Sequence, residues 1–303
     1  MKCADSTASV ALGKESLKHF DFLLAAVIIA RSSAYLFSKI CLASMGTFNL
    51  LAIRFMLGFV LLAVLFNRRL RHISLHTAIR GVILGAIFFA VMSFELLGLR
   101  TTNSSTVSFL ENTAIAFVPL FEAVLHRKAP KLNILLCGAL TLVGIGLLTI
   151  KGRGLALAPG ELLCLMAAVM YATAIITTDR FSHSDDPLVL GIIQVGTIGV
   201  LGTLATILFE SPRLPDTRLE WGCILYLALI CTGFGFTLQP LAQSHTSSEK
   251  AGMFCAINPL SASVLGMIFL NESFSLTNLT GAAFIICSIV LYGKSQASVA
   301  KSK

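Results

Sequence analysis

The sequence predicts an all-α membrane protein: ten transmembrane helices built from two inverted five-helix repeats around a central cavity. Three observations carry that prediction. Of the 303 residues, 56% are hydrophobic and 13% charged, against about a quarter charged in an ordinary soluble domain. The apolar residues gather in ten windows, most of them close to the ~20 residues that cross a bilayer as helix. Finally, the second half of the chain echoes the first at a nearly constant shift.

The windows follow one another with short polar connections. A polar, mildly basic stretch precedes residues 22–42. That first window is too long for a signal h-region and has no A-x-A-like site after it, so it is expected to stay as the first helix. Windows 48–66 and 81–99 are near-continuous apolar runs. Window 104–125 carries Glu111 and Asn112 side by side and then Pro119, and 132–150 closes the first half. The second half repeats the series at 160–178, 188–209, 221–241, 251–270 (with Pro259) and 276–292. These runs do not alternate apolar and polar residues as the strands of a membrane barrel do over about ten positions, so they are helices.

Shifting the chain by 140 positions lays "FNLLAIRFMLGF" at 48 on "LVLGIIQVGTIG" at 188, and Pro119 on Pro259. Further along, "CGALTLVGIGLLT" at 137 resembles "TGAAFIICSIVLY" at 280, with the shift now 143. The halves divide as residues 1–150 and 151–303, joined near 151–159. Because five is odd, the second half enters from the opposite side of the membrane, the inverted-repeat architecture of many secondary transporters. Gly81 and Gly85, with Gly144, Gly146, Gly199, Gly202, Gly233 and Gly235, supply small surfaces on which helices can approach closely.

The formal charge of +8 does not point to nucleic acid, because the basic residues cluster in short loops between apolar windows. With the N-terminus placed in the cytoplasm, most loop lysines and arginines fall inside and only Arg100, Lys151, Arg153, Arg213 and Arg218 outside. The expected location is therefore a cell membrane crossed many times, with both termini cytoplasmic. The eight cysteines mostly sit in apolar windows without a C-x-x-C pair and read as small packing residues. His72 and His76 are spaced i, i+4 but lack a third ligand, so no metal and no other cofactor is expected. Neither G-x-S-x-G nor H-E-x-x-H occurs, and there is no Walker-type phosphate loop. Intramembrane hydrolysis and ATP-driven pumping by this chain are thus disfavoured.

Charge at membrane depth is the functional signal. An Arg or Lys at a helix centre costs about 2.5 to 3.5 kcal/mol on insertion scales, so Arg31, Lys39 and Arg54 must face protein or water. Arg31, Tyr35 and Lys39 share one face of the first helix. Arg54 lies about 9 Å in from the outer end of the second helix, and Glu111 about 12 Å in from that of the fourth. Ser108, Glu111 and Asn112 form a polar stripe that can line a cavity or pair with Arg54. Glu95, nearer a helix end, is expected at the interface, and Lys39 is expected to snorkel there. In the second half, Tyr171, Gln194 and Asn258 are the corresponding cavity residues. Pro119 and Pro259 remove backbone hydrogen bonds within apolar helices and are candidate kinks or hinges.

Several stretches carry a family likeness. "ARSSAYLFSKICLASMGTFNLLAIRFMLGF", "LGLRTTNSSTVSFLENTAIAFVPLFEAVL" and "TSSEKAGMFCAINPLSASVLGMIFLNES" resemble helices one and two, three to four, and nine of the EamA family of the drug/metabolite transporter superfamily. The resemblance implies a ten-helix basket around a cavity, and a carrier that exports or exchanges amino acids, other metabolites or drugs. Lys39, Arg54, Pro119, Gln194, Pro259 and Glu272 match family-typical places. Arg31 stands where a Trp-Gly-like pair is usual, and Ala129 where a Glu is expected. The expected function is a secondary transporter moving small amino-acid-like or amphipathic metabolites by alternating access, as exporter or exchanger. A channel or a membrane receptor is the alternative. The expected partners are a small-molecule substrate and the lipid bilayer, without nucleic acid; a homodimer is allowed but not required.

Overall fold

Hydrocarbon offers no partner to a backbone N–H or C=O, so a chain this apolar satisfies its backbone internally as helix. The structure, a computed structural model, describes residues 20, 22–71, 73–125, 127, 132–149, 158–245, 258, 261, 265, 267–269 and 275–301. Its helices are α1 (Phe22–Leu42), α2 (Thr47–Leu65), α3 (Leu75–Thr101), α4 (Ser104–Leu125), α5 (Leu132–Thr149), α6 (Pro159–Ser182), α7 (Pro187–Phe209), α8 (Arg218–Gln243) and α9 (Leu276–Lys301). Among the described residues seven of these are long and apolar enough to cross a membrane, and no strand occurs. The expected ninth window, 251–270, with Pro259, lies almost wholly outside the described residues. Large apolar side chains such as Val64, Leu65, Ile207 and Phe209 are exposed on the outer surface, as a lipid solvent requires.

Helix starts are set by local chemistry. Ser74 accepts from the Thr77 N–H at 3.0 Å to begin α3, and Thr217 accepts from the Glu220 N–H at 3.1 Å to begin α8. Asp186, followed by Pro187, accepts from the Leu188 N–H at 3.0 Å to begin α7. Three helices are irregular inside the bundle. α1 is broken at Ser33, whose hydroxyl donates back to the Ala30 carbonyl at 2.8 Å. α4 is interrupted at Thr113, one and a half turns before Pro119, which sits within its second segment. Over Leu227–Phe236, α8 widens to π geometry, a form found mostly at functional positions.

The turns segregate to two ends. At one, Arg80 donates to Asp185 at 2.6 Å and Phe20 stacks on His245 at 3.6 Å between centroids. At the other, the Asn49 N–H donates to Glu210 at 2.9 Å and Arg213 to the Ser44 carbonyl at 2.7 Å. Between these ends, α2 lies along α7, and α5 lies along α9. Each is paired with its own counterpart in the other half, as elements beside a pseudo-two-fold axis are. Glycines permit the approach. A Cβ on Gly202 would stand 3.0 Å from the Ala52 nitrogen, and one on Gly85 would stand 2.5 Å from the Thr197 Cβ and 2.9 Å from the Gln194 carbonyl oxygen.

Two predictions follow from these contacts. Gly85→Leu drives α3 off α7 and costs about 1 to 3 kcal/mol by overpacking, whereas Gly138→Leu, with nothing within 4 Å of its position, leaves the thermal midpoint in detergent unchanged or higher. At the Asp185 turn, burial alone pushes the carboxyl up. Hydrogen bonds from Thr77 and Arg80, the Arg80 charge and His76 outweigh it and hold Asp185 below the usual carboxylate range. A depressed folded-state value stabilises above the unfolded value of about 3.9 and ceases to do so as pH falls through the folded one. Asp185→Asn therefore costs about 2 kcal/mol near neutral pH, and the gap from the parent protein closes in strong acid in melts recorded across pH.

Candidate functional site

A guanidinium inside a membrane must be met by acceptors or aromatic faces, and Arg31 has both. It is 8% exposed, and its Nη1 donates to the Tyr171 hydroxyl of α6 at 3.1 Å and to Gln239 Oε1 of α8 at 2.6 Å. Its charge lies 4.2 Å from the Phe236 ring centroid, 5.2 Å from Tyr171 and 5.7 Å from Phe88. α8 comes this close because residue 235 is glycine: a Cβ there would stand 2.9 Å from Arg31 Cγ. Arg31 and Tyr171 are separated by 140 positions, the repeat shift itself, so the two halves meet here through equivalent positions.

One turn on, the Tyr35 hydroxyl donates to Glu111 Oε2 at 2.6 Å, and the Glu111 and Glu95 side chains are both buried, at 2% and 5% exposure. From α2, Arg54 Nε donates to Thr232 Oγ1 in the π-helical stretch at 2.8 Å. The Arg54 guanidinium also lies 4.9 Å from the Phe55 centroid, while its Nη2 is buried without a partner. Arg31, Tyr35, Arg54, Glu95 and Asn258, with Met92 and Phe236 among them, enclose a space of about 10 Å³, room for one water at most. Asn258 Oδ1 is likewise buried and unpartnered. Two cations and two carboxyl groups from four helices thus share one shell, each offsetting the desolvation of the others. Larger hollows of 370 to 570 Å³ lie between helices at the perimeter and are lined mostly by apolar side chains. The buried charged side chains gather at the small central space, not at these.

The model of the EamA-like transporter family matches the chain twice, over residues 19–150 and 158–293. This chain belongs to the EamA-like transporter family. It is thereby a multi-pass membrane protein of the drug/metabolite transporter superfamily. An uncharacterized transporter of Archaeoglobus fulgidus is 24% identical over 283 residues, 89% of this chain and 95% of the relative. The uncharacterized transporter YetK of Bacillus subtilis is 26% identical over 293 residues, 92% of this chain and 87% of the relative. One solved crystal structure superposes with a TM-score of 0.69 at 17% identity, over 90% of this chain and 96% of the other, a likeness of fold.

Within this EamA-like bundle, Arg31, Tyr35, Arg54, Glu111, Tyr171 and Asn258 come together in or against the central shell. Arg54 and Glu111 take different hydrogen-bond partners, Thr232 and Tyr35, rather than each other. Ser108, Asn112 and Gln194 are fully buried with unpartnered polar atoms, yet none of them lines the enclosed space. Pro119 lies within the second, continuous helical segment of α4, while Pro259 and Glu272 lie outside the described residues. Lys39 does not snorkel freely: its Nζ donates to the Leu99 and Thr102 carbonyls at 2.6 Å each, neutralising the end of α3. Glu95 corrects the interfacial expectation, being 5% exposed and part of the shell. It carried the same signal as Arg54, an ionisable group a few residues inside a helix. Thr232, Phe236 and Gln239 were not singled out, and nothing in an apolar run containing Thr, Phe and Gln marks them. Among the described residues, no group of His, Cys, Asp and Glu is arranged to hold a metal ion.

Thr232 is the residue whose loss is most readable. Thr232→Val leaves Arg54 Nε buried without an acceptor and costs about 1 to 3 kcal/mol, measured as a lowered thermal midpoint. Thr232→Ser restores most of that loss.

Proposed function

We propose that this EamA-like protein is a secondary carrier of the plasma membrane, with both termini in the cytoplasm, that moves small amino-acid-like or amphipathic metabolites as an exporter or exchanger. The observation that supports this reading most is the composition of the central shell. Arg54, with an unpartnered donor nitrogen, lines a space that Glu95 and Asn258, with an unpartnered oxygen, line as well. A donor for a carboxylate and acceptors for an ammonium line one small space, with Phe236 and Met92 to meet an apolar side chain. That is the complement of a small zwitterion with an apolar tail.

Closure of the shell favours a carrier over a channel. A space of about 10 Å³ admits no metabolite, so passage requires the halves to part. At each end the halves are also joined by local polar contacts: Arg80 and Thr77 with Asp185 at one end, Asn49 with Glu210 and Ser44 with Glu220 at the other. Releasing one set while keeping the other exposes the shell to one side at a time, with the kinks of α1 and α4 as hinges.

The test is counterflow in proteoliposomes loaded with unlabelled amino acids and offered a radiolabelled mixture of the protein amino acids. Saturable exchange is expected. Arg54→Gln lowers kcat/KM by about tenfold or more, because it removes the charged donor from a buried contact. Absence of saturable exchange for that mixture and for amphipathic amines and acids, beside an active control carrier, sinks the proposal.

A further inference from the structure

We propose that the groove between α3, α4 and α6, at the end of the bundle where Arg80 meets Asp185, is a binding site for one anionic phospholipid, whose acyl chain lies in the groove and whose phosphate meets Arg180. The inference rests on the membrane-spanning character of the chain and is independent of the carrier reading.

The groove has a volume of about 570 Å³ and runs along α6 from Phe181 to Thr173. Eight residues of helix rise about 12 Å, close to half of a hydrocarbon core about 30 Å thick, so the groove reaches most of the way through one leaflet. Ile83 and Ile87 of α3 and Phe121 and Leu125 of α4 supply two walls. α6 adds two threonines, but their hydroxyls are satisfied within the helix. Thr173 Oγ1 donates to the Val169 carbonyl at 3.2 Å and Thr177 Oγ1 to the Thr173 carbonyl at 2.7 Å. Over this length the groove therefore requires no hydrogen bond of its occupant. An acyl chain suits it, because an unfilled space of this kind forfeits the dispersion contacts of its lining.

At the mouth the chemistry changes. Arg180 lines the groove and is exposed, and among the described residues its guanidinium makes no hydrogen bond or ion pair. The charges around it are engaged elsewhere. Arg80 donates to Asp185 and Ser184 at 2.6 Å each and lies 5.0 Å from the Phe181 ring centroid. Asp179 stands 3.7 Å from His183, and neither Asp179 nor Glu122 lines the groove. Arg127, two residues past Leu125, is exposed as well, and Lys128 and Lys131 follow it in the sequence.

The other two perimeter hollows lack this combination. One has Arg213 on its lining, but that guanidinium is tied to Asp216 at 2.9 Å and Glu220 at 3.2 Å. The other has no charged side chain among its described lining residues. An apolar groove one leaflet deep that ends in an uncommitted guanidinium is the complement of a phospholipid. The phosphate takes the paired N–H donors of Arg180, and the arginines and lysines beside it favour a headgroup of net negative charge over a zwitterionic one.

Native mass spectrometry tests this on the full-length protein, delipidated in detergent and titrated with phosphatidylglycerol, phosphatidylethanolamine or phosphatidylcholine. One phosphatidylglycerol is expected to stay bound after other adducts are lost. Arg180→Gln weakens that retention by about fivefold, the effect of one guanidinium near an anionic headgroup, and Arg180→Lys restores most of it. Thr173→Trp, which fills the groove and alters no charge, abolishes it. Arg218→Gln, exposed at the opposite end, leaves it unchanged. Glycerol 3-phosphate at the concentration of the lipid does not displace it; displacement by that soluble headgroup means that a free anion is what binds, and overturns the acyl groove. Equal retention of the three lipids, or retention unchanged in either Arg180→Gln or Thr173→Trp, overturns the proposal. Because the readout is bound lipid, a chain that exchanges no amino acid keeps this site, and a chain that exchanges them but retains no phosphatidylglycerol loses this site alone.

Discussion

The interaction on which the rest depends is the mutual compensation of Arg31, Arg54, Glu95 and Glu111 at the centre of a low-dielectric bundle. Any of these side chains alone at membrane depth is costly. Gathered from α1, α2, α3 and α4, and backed by Tyr171, Thr232 and Gln239 from the second half, they form one buried cluster in which Arg54 Nη2 is left unpartnered. The network in turn fixes which helix faces look inward. Arg31 brings α8 so close that residue 235 has no room for a side chain, and Arg54 ties α2 to the widened turn of α8.

The two matches to the EamA-like family, one per half, give that centre its symmetry. Helices that are counterparts in the two halves pack against each other, α2 with α7 and α5 with α9, through positions where glycine removes the barrier to backbone approach. Across the same axis the chemistry is deliberately unequal. Arg31 faces its counterpart Tyr171, and Arg54 corresponds to Gln194, which is buried with both amide atoms unpartnered. Among the described residues, the scaffold repeats while the charged side chains of the central shell, Arg31, Arg54 and Glu95, come from the first half.

Much of the fold was legible because hydrocarbon leaves the backbone little choice. The apolar windows place most of the helices to within a few residues. The breaks were less legible. Pro119 announces a disturbance in α4, but the turn at Ser33 and the π-helical stretch Leu227–Phe236 arise from tertiary contacts and have no local signature. The site divides the same way. Charged residues in apolar windows stand out, so Arg31, Arg54 and Glu111 were readable, and Glu95 was underweighted only because of its distance from a helix end. Phe236, Phe88, Thr232 and Gln239 are ordinary residues of a membrane helix until the fold brings a guanidinium against them. With 21 phenylalanines in the chain, composition selects none of them.

If the charged centre is alternately opened to each side, water must reach it from both faces of the membrane and never from the acyl chains. Ser108, fully buried on α4 one turn from Glu111, is the position to ask. In a background without the eight native cysteines, Ser108→Cys in proteoliposomes is exposed to a membrane-impermeant thiol reagent from one side and then from the other. Slow labelling from each side in turn is the predicted result. Labelling from a single side only, or only by a reagent dissolved in the lipid, contradicts the account.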